Sequence, residues 1–393
     1  MIIALVIFWY GLVPVAGAFA NRHNWRVFRA CFDNLRLRPL LDYAIYSREE
    51  GGEGNYRFTG GVESVTDGHT LWVRGENLTV PIALAGAHTY VLSMPETGAP
   101  EVFDPGEKAP ERVRWDRVSA LTEGAKVFVG GSLVLRENRR IFVSTREQPL
   151  LVIFYDGPDR FLTPRTIRAG RSRNEYWNVL TPYAFILGSF SQLIIAFSFL
   201  SRPAFLLTVI TAFTALFVPL FPLIPPGILC TVVYRYLWGR ARLLRAYRDL
   251  VRLPLKYFLP GTNTCRLPGG EFYGAFSYAP LSEKIREGEI PFLIPREEGK
   301  KKEGWYIYGA LSEGVTAFGN GEKEGRAAQI LPREPRDVFA PFGIIPGNPE
   351  RLIRRYTRQA YILGIISWVI LLIGLTMNIF FVALIVYLLS YPR

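Results

Sequence analysis

The chain has 393 residues, of which 49% are hydrophobic, and a formal net charge of +12. Its mean hydropathy of +0.15 is high for a wholly soluble protein, so part of the chain is expected to lie in lipid. The positive charge does not indicate nucleic-acid binding, because residues 50–160 are net acidic, residues 257–347 are close to neutral, and the excess of Lys and Arg lies beside apolar segments.

Four stretches are nearly free of charge, and each is long enough to cross a hydrocarbon core of about 30 Å. The first three are residues 1–20, 178–200 and 204–226, and the fourth is the apolar part of a long helix predicted over residues 348–390. The pattern predicts an α-helical, multi-pass membrane protein with about four transmembrane helices. The lipid bilayer is therefore its first expected partner.

Clusters of arginine flank these stretches and predict their orientation. Lys and Arg are retained on the cytoplasmic side, because moving them across a membrane is costly and opposed by the membrane potential. The clusters in 21–49, 161–177, 235–256 and 348–360 agree on an external N-terminus and on cytoplasmic β-rich domains at the plasma (inner) membrane. Cleavage of a secretory signal at Ala18-Phe19-Ala20 is the alternative, but it would leave two basic clusters outside.

Residues 21–50 form a basic juxtamembrane segment, and a helix is predicted whose leucines face lipid or the next domain. These leucines are Leu35, Leu37, Leu40 and Leu41.

Residues 51–160 predict a β-rich cytoplasmic domain. Short strands are separated by turn sequences such as Asp67-Gly68 and Glu137-Asn138, and a polar loop rich in Pro and Gly spans 95–110. The predicted strands are Tyr56–Ser64, Thr70–Arg74, Leu78–Leu84, Ala125–Arg136, Ile141–Thr145 and Leu150–Tyr155. Such a series suggests a small, twisted, partly closed barrel that is OB-like.

The second and third apolar segments are joined by Ser201-Arg202-Pro203, which predicts a helical hairpin. Prolines between Pro219 and Pro226 are expected to end the third segment near Leu223, because each removes a backbone donor. Residues 227–256 then predict a basic interfacial helix.

Residues 257–347 predict a second β-rich cytoplasmic domain. Its candidate strands are Glu271–Ser277, Trp305–Leu311, Val315–Phe318 and Ala327–Leu331. Asn348 and Pro349 suit the cap and the first position of the final helix.

Small and polar residues on single faces of the membrane helices are candidate helix-packing positions. They are Gly188, Gln192, Gly364, Ser367, Gly374 and Asn378. Arginines beside the membrane are candidate contacts for anionic lipid head groups. They are Arg240, Arg242, Arg245, Arg351, Arg354 and Arg355.

Residues suited to catalysis are sparse. The three histidines, His23, His69 and His88, and the three cysteines are not at metal-ligand spacing, so no catalytic, metal or cofactor site is predicted. The membrane segments contain no Asp, Glu, Lys or His, which disfavours an ion-coupled carrier.

These patterns favour a non-enzymatic scaffold or assembly factor that presents cytoplasmic β domains to a protein partner or to a second copy of itself. A membrane-bound enzyme using Asp, Glu or Ser of the β domains is one alternative. An oligomeric channel or transporter component is the other, and it would require a polar path past Gln192 and Asn378.

Overall fold

The computed structural model describes residues 1–48, 53–66, 69–92, 111–114, 125–136, 139–171, 178–225, 227–256, 264–266, 273–280, 294, 305–311, 339 and 342–390. The chain divides into two compact units. The helical unit comprises Met1–Arg26, Arg171–Arg245 and Thr357–Arg393, and the β unit comprises Val27–Gly170 and Ala246–Tyr356.

The helices are mostly long and apolar. The described helices are α1 (Ile2–Ile7), a π-helical turn (Phe8–Leu12), α2 (Val13–Leu35), α3 (Tyr43–Tyr46), α4 (Leu162–Arg171), α5 (Leu180–Phe199), α6 (Leu206–Leu216), α7 (Gly227–Leu255) and α8 (Pro349–Ser390). In the described part of the chain, three are apolar and long enough to cross a membrane: Ile2–Leu35, which joins α1 to α2, Leu180–Phe199 and Pro349–Ile385. The helical unit therefore has the length and composition of a membrane domain.

The predicted third crossing, residues 204–226, is not one spanning helix. Its helical part, α6, has 11 residues and is about 17 Å long, roughly half the thickness of a hydrocarbon core. A 3₁₀ turn over Val218–Leu223 follows, and α7 begins at Gly227. The prolines of this stretch explain the break, since a proline removes a helical donor and clashes with the preceding turn.

Most of the β unit is one barrel-like sheet. Its strands among the described residues are β1 (Gly54–Thr66), β2 (Thr70–Arg74), β3 (Thr79–Ala83), β4 (His88–Val91), β5 (Glu111–Val113), β6 (Lys126–Arg136), β7 (Arg139–Val143) and β8 (Leu151–Tyr155). The order β1-β2-β3-β7-β6 closes on itself because β1 also pairs with β6, from Gly54↔Leu133 to Gly61↔Lys126. Strands β8, β4 and β5 extend the sheet from β6.

The interior of this ring is filled with apolar side chains. Alternate residues of each strand point inward, and those of β2 and β3 are typical: Leu71, Val73, Val80 and Ile82 are completely buried. Phe142 of β7 and Val152 of β8 are equally inaccessible. The barrel is thus a packed core.

The six strands predicted over residues 56–155 are all present, with bounds that differ by a few residues. Strands β4 and β5 were not predicted, because three or four residues are too few to show an alternating pattern. The predicted turns at Asp67-Gly68 and Glu137-Asn138 and the loop 95–110 lie outside the described residues.

Two adjacent glycines in β6 allow close packing on both faces of the sheet. A Cβ atom on Gly130 would lie 2.7 Å from Cβ of Leu35 in α2, and one on Gly131 would lie 2.7 Å from Cδ1 of Leu150 in the barrel core. Beside Gly130, Phe32 of α2 packs edge-to-face on Phe128, with ring centroids 5.6 Å apart. Leu35 is therefore buried against the β domain, one of the two surroundings that the sequence allowed.

Charged side chains join the parts of α2 and α7 that belong to the β unit. Arg29 lies 3.0 Å from Asp249, and Lys256 lies 3.2 Å from Asp33. Arg36 is almost fully buried and donates to the carbonyl of Phe339 at 3.1 Å. Arg29 and Arg36 of the basic segment 21–50 thus make internal contacts in addition to adding positive charge.

The described strands of residues 257–347 form a second, antiparallel sheet in the order β12-β11-β10-β9. They are β9 (Thr264–Arg266), β10 (Tyr273–Pro280), β11 (Trp305–Leu311) and β12 (Phe342–Pro346). Strand β11 has its predicted bounds and β12 was not predicted, whereas Val315–Phe318 and Ala327–Leu331 lie outside the described residues. Asn348 caps α8, because its Oδ1 accepts from the N–H groups of Glu350 and Arg351.

The two glycines of β6 should respond differently to alanine. Gly130→Ala brings a methyl group against Cβ of Leu35, which is held close to the α2 backbone, and should cost about 2 kcal/mol of stability. Gly131→Ala meets the end of the Leu150 side chain, which can move, and should cost less. Thermal unfolding of the two purified variants measures the difference, and equal melting temperatures would contradict this packing.

Candidate functional site

At the break between α6 and α7, two backbone carbonyl groups accept hydrogen bonds from a side chain of a neighbouring helix. In a continuous helix the carbonyl of Phe221 would accept from residue 225, but Pro225 has no N–H. The side-chain Nδ2 of Asn378 in α8 donates to that carbonyl and, at 3.1 Å, to the carbonyl of Ile224. The same two carbonyls also accept backbone N–H groups, that of Phe221 from Ile224 at 3.3 Å and that of Ile224 from Ile228 at 3.2 Å. Asn378 therefore adds a second hydrogen bond to each carbonyl and ties α8 to the break.

Two glycines bring α7 against α8 at this point. A Cβ atom on Gly227 would lie 2.2 Å from Nδ2 of Asn378, and one on Gly374 would lie 2.6 Å from Cβ of Cys230. Further along, the rings of Trp238 and Trp368 are 6.2 Å apart. The two helices therefore run antiparallel, with Gly227 level with Asn378.

A cavity of about 760 Å³ lies beside this helix pair, within the usual size range of small-molecule sites. All its lining residues belong to the helical unit. They are Tyr10, Val15, Phe185, Val218, Pro219, Gly227, Thr231, Tyr234, Arg235, Trp238, Arg242, Trp368, Leu371, Leu372, Gly374 and Leu375. Along α7 the lining runs from Gly227 to Arg242, which is about 22 Å of helix.

The two ends of the cavity differ in chemistry. The end near Gly227 is lined by aliphatic groups, among them Val218, Pro219 and Leu375. The end toward Arg242 is lined by aromatic rings and two guanidinium groups, and Arg245 stacks over the ring of Trp238 at 5.2 Å. The cavity is thus amphipathic along its length.

The π-helical turn supplies Tyr10 to the cavity wall. Tyr10 hydrogen-bonds Ser189 of α5 at 3.2 Å, and its ring packs edge-to-face on Phe185. Gly188 makes the approach possible, because a Cβ there would lie 2.5 Å from Cε1 of Tyr10. Such turns are frequent at functional sites, and this one ends just before Pro14.

The six predicted helix-packing residues are all buried. Gly188, Gly374 and Asn378 make the contacts described above, and the Ser367 hydroxyl donates to the carbonyl of Gly364 at 2.8 Å. Gln192 is 1% exposed, and its side-chain amide has no hydrogen-bond partner among the described residues. Neither Gln192 nor Asn378 lines the cavity.

The six predicted lipid-contact arginines have different surroundings. Arg242 lines the cavity, Arg240 stacks over Tyr236 at 5.7 Å, and Arg245 also lies close to Gly364 of α8. In the β unit, the side chain of Arg354 is 84% exposed, 3.8 Å from Glu350. Arg351 and Arg355 are exposed as well.

In the described part of the chain, no three His, Cys, Asp or Glu residues are placed so that they could hold a metal ion. His88 is half-buried at the start of β4. Burial lowers the pKa of His88, and the positive charge of Arg112 lowers it further.

Sequence reasoning missed most of the cavity residues. Thr231, Arg235, Trp238 and Arg242 recur at helical spacing and share one face of α7. That face was visible in the sequence, but it was interpreted as interfacial. The opposing residues Tyr10 and Trp368 come from distant helices, and the sequence carried no signal that would bring them there.

The chain matches no protein-family model, no curated protein and no solved structure. Its function is therefore inferred from its own residues and contacts.

Two glycines of α7 provide a matched test of the helix break. Gly227→Ala should destabilise the protein by about 1–2 kcal/mol, because the methyl group displaces the Asn378 amide from the carbonyl of Phe221. Gly239→Ala meets nothing within 4 Å and should stabilise α7 by up to about 1 kcal/mol. Melting temperatures in detergent distinguish the two, and a neutral Gly227→Ala would contradict the role of Asn378.

His88 should make the β unit sensitive to mild acid. Because its pKa is lowered in the folded state, the unfolded chain takes up the proton first, and stability falls as the pH drops through about 6.5. When the pH is lowered past that point, a His88→Gln variant should lose less stability than the wild type. Identical pH profiles of thermal unfolding would show that His88 is not the group responsible.

Proposed function

We propose that this protein is an integral membrane scaffold or assembly factor whose β domains bind a protein partner in the cytoplasm. The observation that carries the proposal is the packed barrel interior, from Leu71 to Val152, which leaves the outer surface of the barrel for binding. Among the described residues no group of His, Cys, Asp and Glu could hold a metal ion, which gives no support to a metal-dependent enzyme.

The proposed orientation has an external N-terminus and cytoplasmic β domains. It is supported by the arginines that remain exposed beside the apolar helices, such as Arg240 and Arg355, because such side chains favour the inner leaflet. The proposed crossings are the three long helices and a fourth, broken one made of α6 and the start of α7.

The closed ring β1-β2-β3-β7-β6 supports an OB-like description of the first β domain. Many barrels of this kind bind nucleic acid. The acidic balance of residues 50–160 opposes that use here, because phosphate contacts require positive charge. A protein is therefore the proposed partner.

One surface of the β unit has the character of a protein interface. Arg140 is buried and donates to the carbonyls of Ile45, at 3.2 Å, and Tyr46, so it fastens α3 to the β6–β7 hairpin. Beside it, Leu135 pairs with Arg140 across the strands and is 49% exposed, and Tyr43 of α3 is 63% exposed. Exposed apolar and aromatic side chains on a rigid support are typical anchors of protein interfaces.

Site-directed photocross-linking in intact cells tests this surface. A cross-linking residue at Tyr43 or Leu135 should capture one discrete protein, whereas the same residue at exposed Glu76 in the β2–β3 turn should not. Capture of a second copy of the chain would identify self-association as the partner interaction. Capture at Glu76 alone, or at none of the three positions, would overturn the proposal.

A further inference from the structure

We infer that the cavity of the helical unit binds one anionic membrane lipid, with its acyl chain at the aliphatic end and its head group at the arginine end. This inference is independent of the proposed scaffold role, because it concerns only residues of the helical unit.

The aliphatic end suits a hydrocarbon chain. Val218, Pro219 and Leu375 present carbon atoms, and the amide nitrogen of Asn378 nearby donates to the carbonyls of Phe221 and Ile224. An acyl chain placed here would contact carbon atoms and would need no hydrogen bonds.

The other end suits an anionic head group. Arg235 and Arg242 lie two helical turns apart on the same face of α7, so their guanidinium groups can approach one phosphate from two sides. Tyr234 and Trp368 also line this end, and such rings settle at the level of lipid head groups.

Trp238 supplies a second, independent observation. It lines the cavity, is 7% exposed, and its indole Nε1 has no hydrogen-bond acceptor among the described residues. A buried N–H without an acceptor is costly. A phosphate or ester oxygen of the lipid would accept from it.

The surroundings of the cavity explain why the ligand comes from the bilayer. The neighbouring side chains Leu229 and Val232 are 68% and 59% exposed, so a helix that forms the cavity presents apolar groups outward. A ligand moving within the membrane reaches such a site without crossing water.

Lipid binding to the delipidated, full-length protein in detergent, counted by native mass spectrometry, tests the inference. Phosphatidylglycerol should bind with a stoichiometry of one and should be preferred to phosphatidylcholine. Arg235→Gln with Arg242→Gln should reduce that preference by about thirty-fold, because each cation near an anionic head group contributes about five-fold in affinity. Trp238→Phe, which keeps a ring and removes the N–H, should weaken binding by about five-fold.

The matched control is Arg252→Gln with Arg358→Gln, which removes two exposed charges from α7 and α8 outside the cavity lining. It should bind as the wild type does, and melting temperatures should show that all variants fold. The inference is overturned if the control loses as much affinity as the cavity variant, if phosphatidylcholine binds equally well, or if the cavity and Trp238 variants both bind normally.

Discussion

A carbonyl group in hydrocarbon has no water to accept from, and this constraint governs the helical unit. The prolines after α6 break the helix, and the carbonyl of Phe221 accepts from the N–H of Ile224 at 3.3 Å because Pro225 has no N–H. Asn378 of α8 donates to that carbonyl and to the carbonyl of Ile224, so one side chain ties the restart of α7 to the final helix. The break is tolerated because its carbonyls are bonded both by nearby backbone N–H groups and by a side chain of a neighbouring helix.

The contact of Asn378 with the break also determines where the cavity of the helical unit lies. Gly227 and Gly374 let α7 and α8 touch where Asn378 bonds the break, and bulky rings at Trp238 and Trp368 hold the helices apart further along. The π-helical turn brings Tyr10 across to the opposite wall, against Gly188 of α5. The cavity lies beside these glycine and aromatic contacts. Its aliphatic end is lined by Val218, Pro219 and Leu375, and its basic end by Arg235 and Arg242 of α7.

The β unit uses glycine in a related way. Gly130 and Gly131 point to opposite faces of β6, so one admits α2 from outside and the other admits Leu150 from the core. The ion pairs Arg29–Asp249 and Lys256–Asp33 then hold the ends of α2 and α7 together at their charged surfaces. The arginines of this chain therefore have two kinds of surroundings. Some form ion pairs or hydrogen bonds within the β unit, and others are exposed.

The sequence by itself determined the apolar helices and the strands of the first barrel, because both follow from local patterns of apolar residues, as in Thr70–Arg74 and Leu180–Phe199. It also marked Gly188, Gly374 and Asn378 as packing positions through their small or polar side chains. The tertiary structure alone decided that β1 pairs with β6, and that Tyr10, Arg235 and Trp368 share one cavity. Those outcomes depend on contacts between residues far apart in the chain, which no local pattern encodes.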